Sequence, residues 1–203
     1  MEPWQRNLGV RTTSDALHRS SPFDFSTEFL RRHEDMTVHG VDPAKVLREG
    51  QDLFFGEPPN YRDAAVRFQQ VVELSPNWAE GYQWLGSACD AFGDENRAAT
   101  AWQAAHKHNP NDSRCLISLG VLRSRQRRFK EAIRLLEQGI ALKPHYGLAD
   151  AKLFLAEAFE RAKRMKLAKQ QWREVLELEP MYPSYDEPMK EARRKLQLHG
   201  AAK

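Results

Sequence analysis

The sequence predicts an all-α chain, a solenoid of antiparallel helix hairpins, and three observations carry the prediction. Ala64, Ala98, Ala132 and Ala168 recur at intervals of 34 to 36 residues. Each is followed four residues on by a large apolar residue, Phe68, Trp102, Leu136 or Trp172, and eight residues later by Pro76, Pro110, Pro144 or Pro180. Twelve or fourteen residues before each alanine stands a small residue: Gly50, Gly86, Gly120 or Ala156. A period of this length belongs to stacked supersecondary units, each too thin to bury its apolar face alone.

The second unit is the least interrupted. Tyr82, Leu85, Cys89 and Phe92 make a helical stripe, Gly93-Asp94 breaks it, and Ala98, Trp102 and Ala105 lie on one face of the helix that follows. Asn109-Pro110 ends that helix, because proline disfavours helical geometry in the residue before it. Gly86 inside the first helix costs about 1 kcal/mol relative to alanine, which points to a close approach by its partner helix. The third unit repeats the plan, with a turn at Gln126–Phe129. The first and fourth carry two extra residues each, in Gly56-Glu57-Pro58-Pro59-Asn60 and around His145-Tyr146-Gly147. The hairpins are expected at about 43–76, 79–112, 113–146 and 149–182, within an array over 41–182.

Residues 183–203 read as a capping helix, starting near Asp186-Glu187-Pro188 and running to about Leu198, with a tail. Residues 1–40 stand outside the pattern. They read as an extension that is partly disordered or docks on the solenoid through Phe23, Phe25, Phe29 and Leu30, with a short helix from about Ser26.

Columns of small residue, alanine, aromatic, small residue and proline resemble the tetratricopeptide repeat family over residues 43–180, with the second unit matching best at Leu85, Gly86, Ala98, Trp102, Ala105 and Pro110. The third departs at Leu136 and Gly139, the fourth at Ala156 and Val175, and the first at Val71 and its insertion. The resemblance implies a right-handed superhelix whose first helices line a concave groove for a peptide or partner protein, acting as a non-enzymatic adaptor. Carried over residue by residue, the groove positions are Gln51, Phe54 and Phe55; Gln83, Trp84 and Ser87; Arg114, Ile117, Ser118 and Val121; and Leu153, Phe154 and Glu157. Trp84 is the expected anchor, since buried aromatics dominate partner binding. The family's clamp for acidic chaperone tails needs several basic side chains; the matching positions here hold Leu47, Gln51, Trp84, Arg114 and Ser118, so that use is not expected.

Charge is graded along the chain. Residues 41–110 hold six Lys/Arg against ten Asp/Glu, and residues 111–203 hold 20 against 12. Arg125, Arg127, Arg128 and Lys130 cluster at the third hairpin turn, and Arg161, Lys163, Arg164 and Lys166 at the fourth. Together they are an expected basic ridge, a solvated edge or a dock for an acidic protein surface or nucleic acid. Nucleic acid is the poorer fit, because Phe129 is the one aromatic among them.

Catalysis finds no support. The seven histidines are scattered, and no hydrolase elbow, metalloprotease motif or phosphate-cradling loop is present. No cofactor or metal is expected, and Cys89 and Cys115 read as reduced core residues. The first residues lack the apolar run of a secretory signal and no stretch is long enough to span a membrane, so the expected compartment is the cytoplasm. Self-association through the end layers or residues 1–40 is the remaining expectation.

Overall fold

The computed structural model describes residues 41–144, 147–179 and 185–200. The expected docking helix near Ser26, the His145-Tyr146 linker and the Pro180 stop lie outside them. Among the described residues the chain forms nine α-helices and no strand. Four hairpins follow one another: α1 (Pro43–Phe55) with α2 (Tyr61–Leu74), α3 (Ala79–Phe92) with α4 (Glu95–His108), α5 (Ser113–Arg125) with α6 (Phe129–Ala141), and α7 (Leu148–Arg161) with α8 (Met165–Leu176). A ninth helix, α9 (Asp186–Gly200), closes the stack. No helix among the described residues is long and apolar enough to cross a membrane.

The alanine and aromatic columns are buried because each hairpin closes on them. Ala64, Ala98, Ala132 and Ala168 are fully buried, as are Phe68, Leu136 and Trp172. The small-residue column answers the aromatic column directly. A Cβ on Gly50 would come within 2.6 Å of the Phe68 ring, and one on Gly120 within 2.6 Å of Leu136 Cγ. The glycines therefore set the distance between the two helices of a hairpin.

Local chemistry starts and ends the helices. Asp42, Asn60, Asp94 and Asp112 cap α1, α2, α4 and α5 through side-chain oxygens that accept backbone N–H groups. Three of the four hairpin turns share one geometry. The N–H of Asp94, Arg128 and Arg164 donates to the carbonyl of Cys89, Arg123 and Phe159 at 2.8, 2.9 and 2.8 Å. The residue before each donor is left-handed: Gly93 at φ 98°, and Arg127 and Lys163 at φ 61°. The first turn departs from this plan, as its two extra residues require, and instead the Asn60 N–H donates to the Leu53 carbonyl at 2.8 Å.

α9 covers the last hairpin. Met189 and Ala192 are buried against it, Lys195 Nζ donates to Glu160 Oε2 at 2.7 Å, and the His199 ring stacks on Trp172 at 5.5 Å between centroids. Leu196 packs against the same core while partly buried, whereas Leu198 is exposed.

Candidate protein-binding groove

The first helices of the hairpins present one continuous inner face, and a cavity of about 90 Å³ opens along it. Its walls include Phe54 from α1, Trp84 and Ser87 from α3, Ile117, Ser118 and Val121 from α5, and Phe154 from α7. Helical spacing accounts for the assembly, since Trp84, Ser118 and Phe154 occupy the same turn of successive first helices.

The expected groove residues divide by what holds them. Gln83 and Arg114 also line the cavity, whereas Gln51 and Glu157 do not. Glu157 sits beside Lys195, Arg161, Glu191 and Glu160, where burial raises its carboxyl above the ordinary range. Gln83 is buried, and its Oε1 accepts from Cys115 Sγ at 2.9 Å, tying α3 to α5. Phe54 is 3% exposed and belongs to the core as much as to the groove. Trp84 is half-buried against three rings, with centroids at 5.7 Å from Phe54, 5.5 Å from Phe55 and 5.7 Å from Phe68. Its indole Nε1 donates to Glu80 Oε1 at 3.4 Å. Phe55 and Leu153 pack against the core rather than lining the cavity.

Asp90, Ala91, Trp102, Ser113, Gly147 and Asp150 line the cavity although the sequence did not place them in the groove. The offset of 36 residues that relates Ser118 to Phe154 also relates Arg114 to Asp150, so position alone could have found Asp150. The groove's charges are unevenly matched. Arg114 binds Asp112 in a fork, with Nε to Oδ1 at 3.0 Å and Nη2 to Oδ2 at 2.7 Å; Asp112 is held below the usual carboxylate range by those contacts, which outweigh its burial. Asp90 pairs with Arg125 across α3 and α5. Asp150 Oδ2 is buried with no hydrogen-bond partner among the described residues, and burial pushes its carboxyl up to about 6.

Around the turns, Arg125, Arg127, Arg128, Lys130, Arg161, Lys163, Arg164 and Lys166 are all exposed. Their partners differ. Arg125 is committed to Asp90, Arg128 donates to Glu131 Oε1 at 2.7 Å, and Arg164 lies over the Phe159 ring at 5.2 Å. Cys89 and Cys115 are free and buried, and burial lifts their thiols to about 11 and about 12. Among the described residues no three His, Cys, Asp or Glu side chains gather where they could hold a metal ion.

No model of a known protein family matches the chain. Among curated proteins it is similar to a heat shock protein sti1 homolog of Schizosaccharomyces pombe, 27% identical over 81 residues. It is also similar to the Hsp70-Hsp90 organizing protein of Triticum aestivum, 32% identical over 87 residues, and to peroxisome biogenesis protein 5 of Arabidopsis thaliana, 31% identical over 101 residues. These matches cover 40%, 40% and 50% of the chain but only 14%, 15% and 12% of the relatives' own length. Among solved structures it is similar to MamA, with a TM-score of 0.58 and 22% identity over 80% of this chain and 79% of that one. The thermophilic TPR protein TTC0263 of Thermus thermophilus gives 0.61 and 19%, covering 81% and 86% of the two chains. Pseudomonas aeruginosa pilF gives 0.64 and 18%, covering 77% and 69%. Helix order, hairpin geometry and these likenesses agree: the chain has the tetratricopeptide-repeat fold.

Proposed function

We propose that the chain is a non-enzymatic adaptor that holds a segment of a partner protein in the groove lined by α1, α3, α5 and α7. The observation that carries this reading is the open, mainly apolar cavity bounded by Trp84, Ile117, Val121 and Phe154. Such a surface suits the apolar side chains of an amphipathic helix or an extended peptide. The Hsp70-Hsp90 organizing protein, by its name, has protein partners. An acidic chaperone tail is nevertheless a poor fit here, because Arg114 is already engaged by Asp112 and Leu47 is buried.

Ser118→Arg fills the groove without removing a core side chain. Tagged wild type and Ser118→Arg, purified from the native cell and read by mass spectrometry, should differ by loss of the partner in the variant, with helical circular dichroism unchanged. If every captured protein is retained by Ser118→Arg, the groove reading fails.

A second reading, docking of an acidic protein surface or nucleic acid on the basic turns, rests on a separate observation. Arg128 and Arg164 occupy helix N-cap positions with no side-chain cap bond, where cations oppose the helix dipole. Arg127 and Lys163 are left-handed. Basic residues thus stand where others would be more stable. Reversing Arg127, Arg128, Lys163 and Arg164 to Glu should abolish any partner binding that weakens steeply with salt; unchanged retention would eliminate this reading.

A further inference from the structure

We propose that Asp150 makes the groove selective for a partner segment that presents a Lys or Arg side chain beside a large apolar one. The inference rests on the groove reading above and names the class of segment it takes.

The first turns of α3, α5 and α7 each put one charged residue on the inner face, at the equivalent positions Glu80, Arg114 and Asp150. The first two are occupied from within the protein: Glu80 Oε1 accepts from the Trp84 indole, and Arg114 is forked onto Asp112. Asp150 differs. It lines the cavity, its Oδ2 is buried with no hydrogen-bond partner among the described residues, and no described cation contributes to its ionisation. The other groove carboxylate, Asp90, is neutralised by Arg125. Among the described residues Asp150 is therefore the one charge lining the groove that has no charged partner, and it is negative.

Trp102 Nε1, also on the cavity wall, is a second buried polar atom without a partner. It does not discriminate, because Trp172 Nε1, its counterpart in the same column, is equally unpartnered and lies off the groove. Asp150 stands in the first turn of α7, where its own backbone N–H favours the carboxylate, and its Oδ2 is left without a partner among the described residues.

A buried carboxylate attracts whatever restores its solvation. A hydroxyl or amide supplies one hydrogen bond and leaves the charge standing, whereas an ammonium or guanidinium supplies both, in a setting where charge-assisted bonds are strongest. A partner carboxylate is excluded by like-charge repulsion. Phe154 and Ile117 line the same cavity, so an apolar residue next to the cation would be accommodated, together with the aliphatic stem of the cation itself.

The test is selection of a random dodecapeptide display library on the full chain, repeated on Ser118→Arg, Asp150→Asn and Asp150→Glu. Peptides that Ser118→Arg fails to retain should be enriched in Lys or Arg next to a large apolar residue. The enrichment should vanish with Asp150→Asn and persist with Asp150→Glu. For one selected peptide, replacing its cation by norleucine should weaken binding to wild type about tenfold or more, and leave binding to Asp150→Asn nearly unchanged. Groove-dependent peptides without basic enrichment, or enrichment that survives Asp150→Asn, would overturn this inference and leave the groove reading intact. Selection of no groove-dependent peptide, as would follow if the chain's own Phe29-Leu30-Arg31-Arg32 filled the groove, would overturn the inference of a partner in trans; retention of every captured cellular protein by Ser118→Arg as well would be needed to sink the groove reading.

Discussion

Gly86 lies so close beneath the indole of Trp102 that a Cβ built on it would sit 2.5 Å from both Cδ1 and Nε1 of the ring. Helix propensity and packing therefore make opposite predictions for Gly86→Ala. Propensity favours alanine by about 1 kcal/mol, whereas overpacking of a buried ring costs about 1–3 kcal/mol. Trp102 is 3% exposed and cannot swing out, so packing should win. Urea denaturation of Gly86→Ala should show a net loss of about 1–2 kcal/mol at constant m-value; a gain in stability would mean that the hairpin is more loosely closed.

The third and fourth hairpin turns should be improvable. Arg127-Arg128 and Lys163-Arg164 stand where the second turn has Gly93-Asp94, left-handed residue followed by capping residue. Converting either pair to Gly-Asp removes a strained side chain and supplies an N-cap, each worth about 1 kcal/mol. The double variant of one turn should gain about 1–2 kcal/mol in thermal or urea unfolding. No gain would show that these arginines and lysines are as well accommodated as the residues of the second turn.

Asp150→Asn should stabilise the protein in a pH-dependent way. The Asp150 carboxyl titrates near 6 in the folded chain against an ordinary 3.8, so folding takes up a proton between those values. Its ionisation then opposes folding, by an amount absent below the unfolded pKa and fully developed above the folded one. The variant should exceed wild type by about 3 kcal/mol at pH 7.5, with the difference shrinking as pH falls and vanishing near pH 4. An equal offset at both ends of that range would show that the side chain is not desolvated as described. A carboxylate held at this disadvantage is consistent with a binding role, where activity and stability commonly conflict.

Trp84→Ala is expected to destabilise more than it informs about binding. The ring packs on Phe54, Phe55 and Phe68, so truncation opens a cavity among aromatics and should cost about 3–5 kcal/mol. Phe154→Ala removes a smaller, half-buried ring on the groove wall and should cost less and reduce partner affinity. A Trp84→Ala chain of wild-type stability would restore the indole as a free anchor.

Much of the architecture was legible in the columns. Ala98, Trp102 and Gly86 are close in sequence, and the demands that bury them, helical period and the distance between paired helices, operate within one hairpin and repeat in the next. The same locality made the break at Gly93-Asp94 and the stop at Asn109-Pro110 readable, though not the N-cap that Asp94 supplies. The inner face was different. Whether Gln83 is free depends on Cys115, 32 residues away, and whether Arg125 belongs to a basic ridge depends on Asp90, 35 residues away. Trp84 was readable as inward-facing, but its burial among three phenylalanines required the neighbouring hairpin to be in place. Periodicity thus specifies which residues point inward, because that is a property of one helix. Stacking specifies which of them remain unengaged, because partners come from the next layer, and among the described residues it brings no charged side chain to Asp150 in the groove.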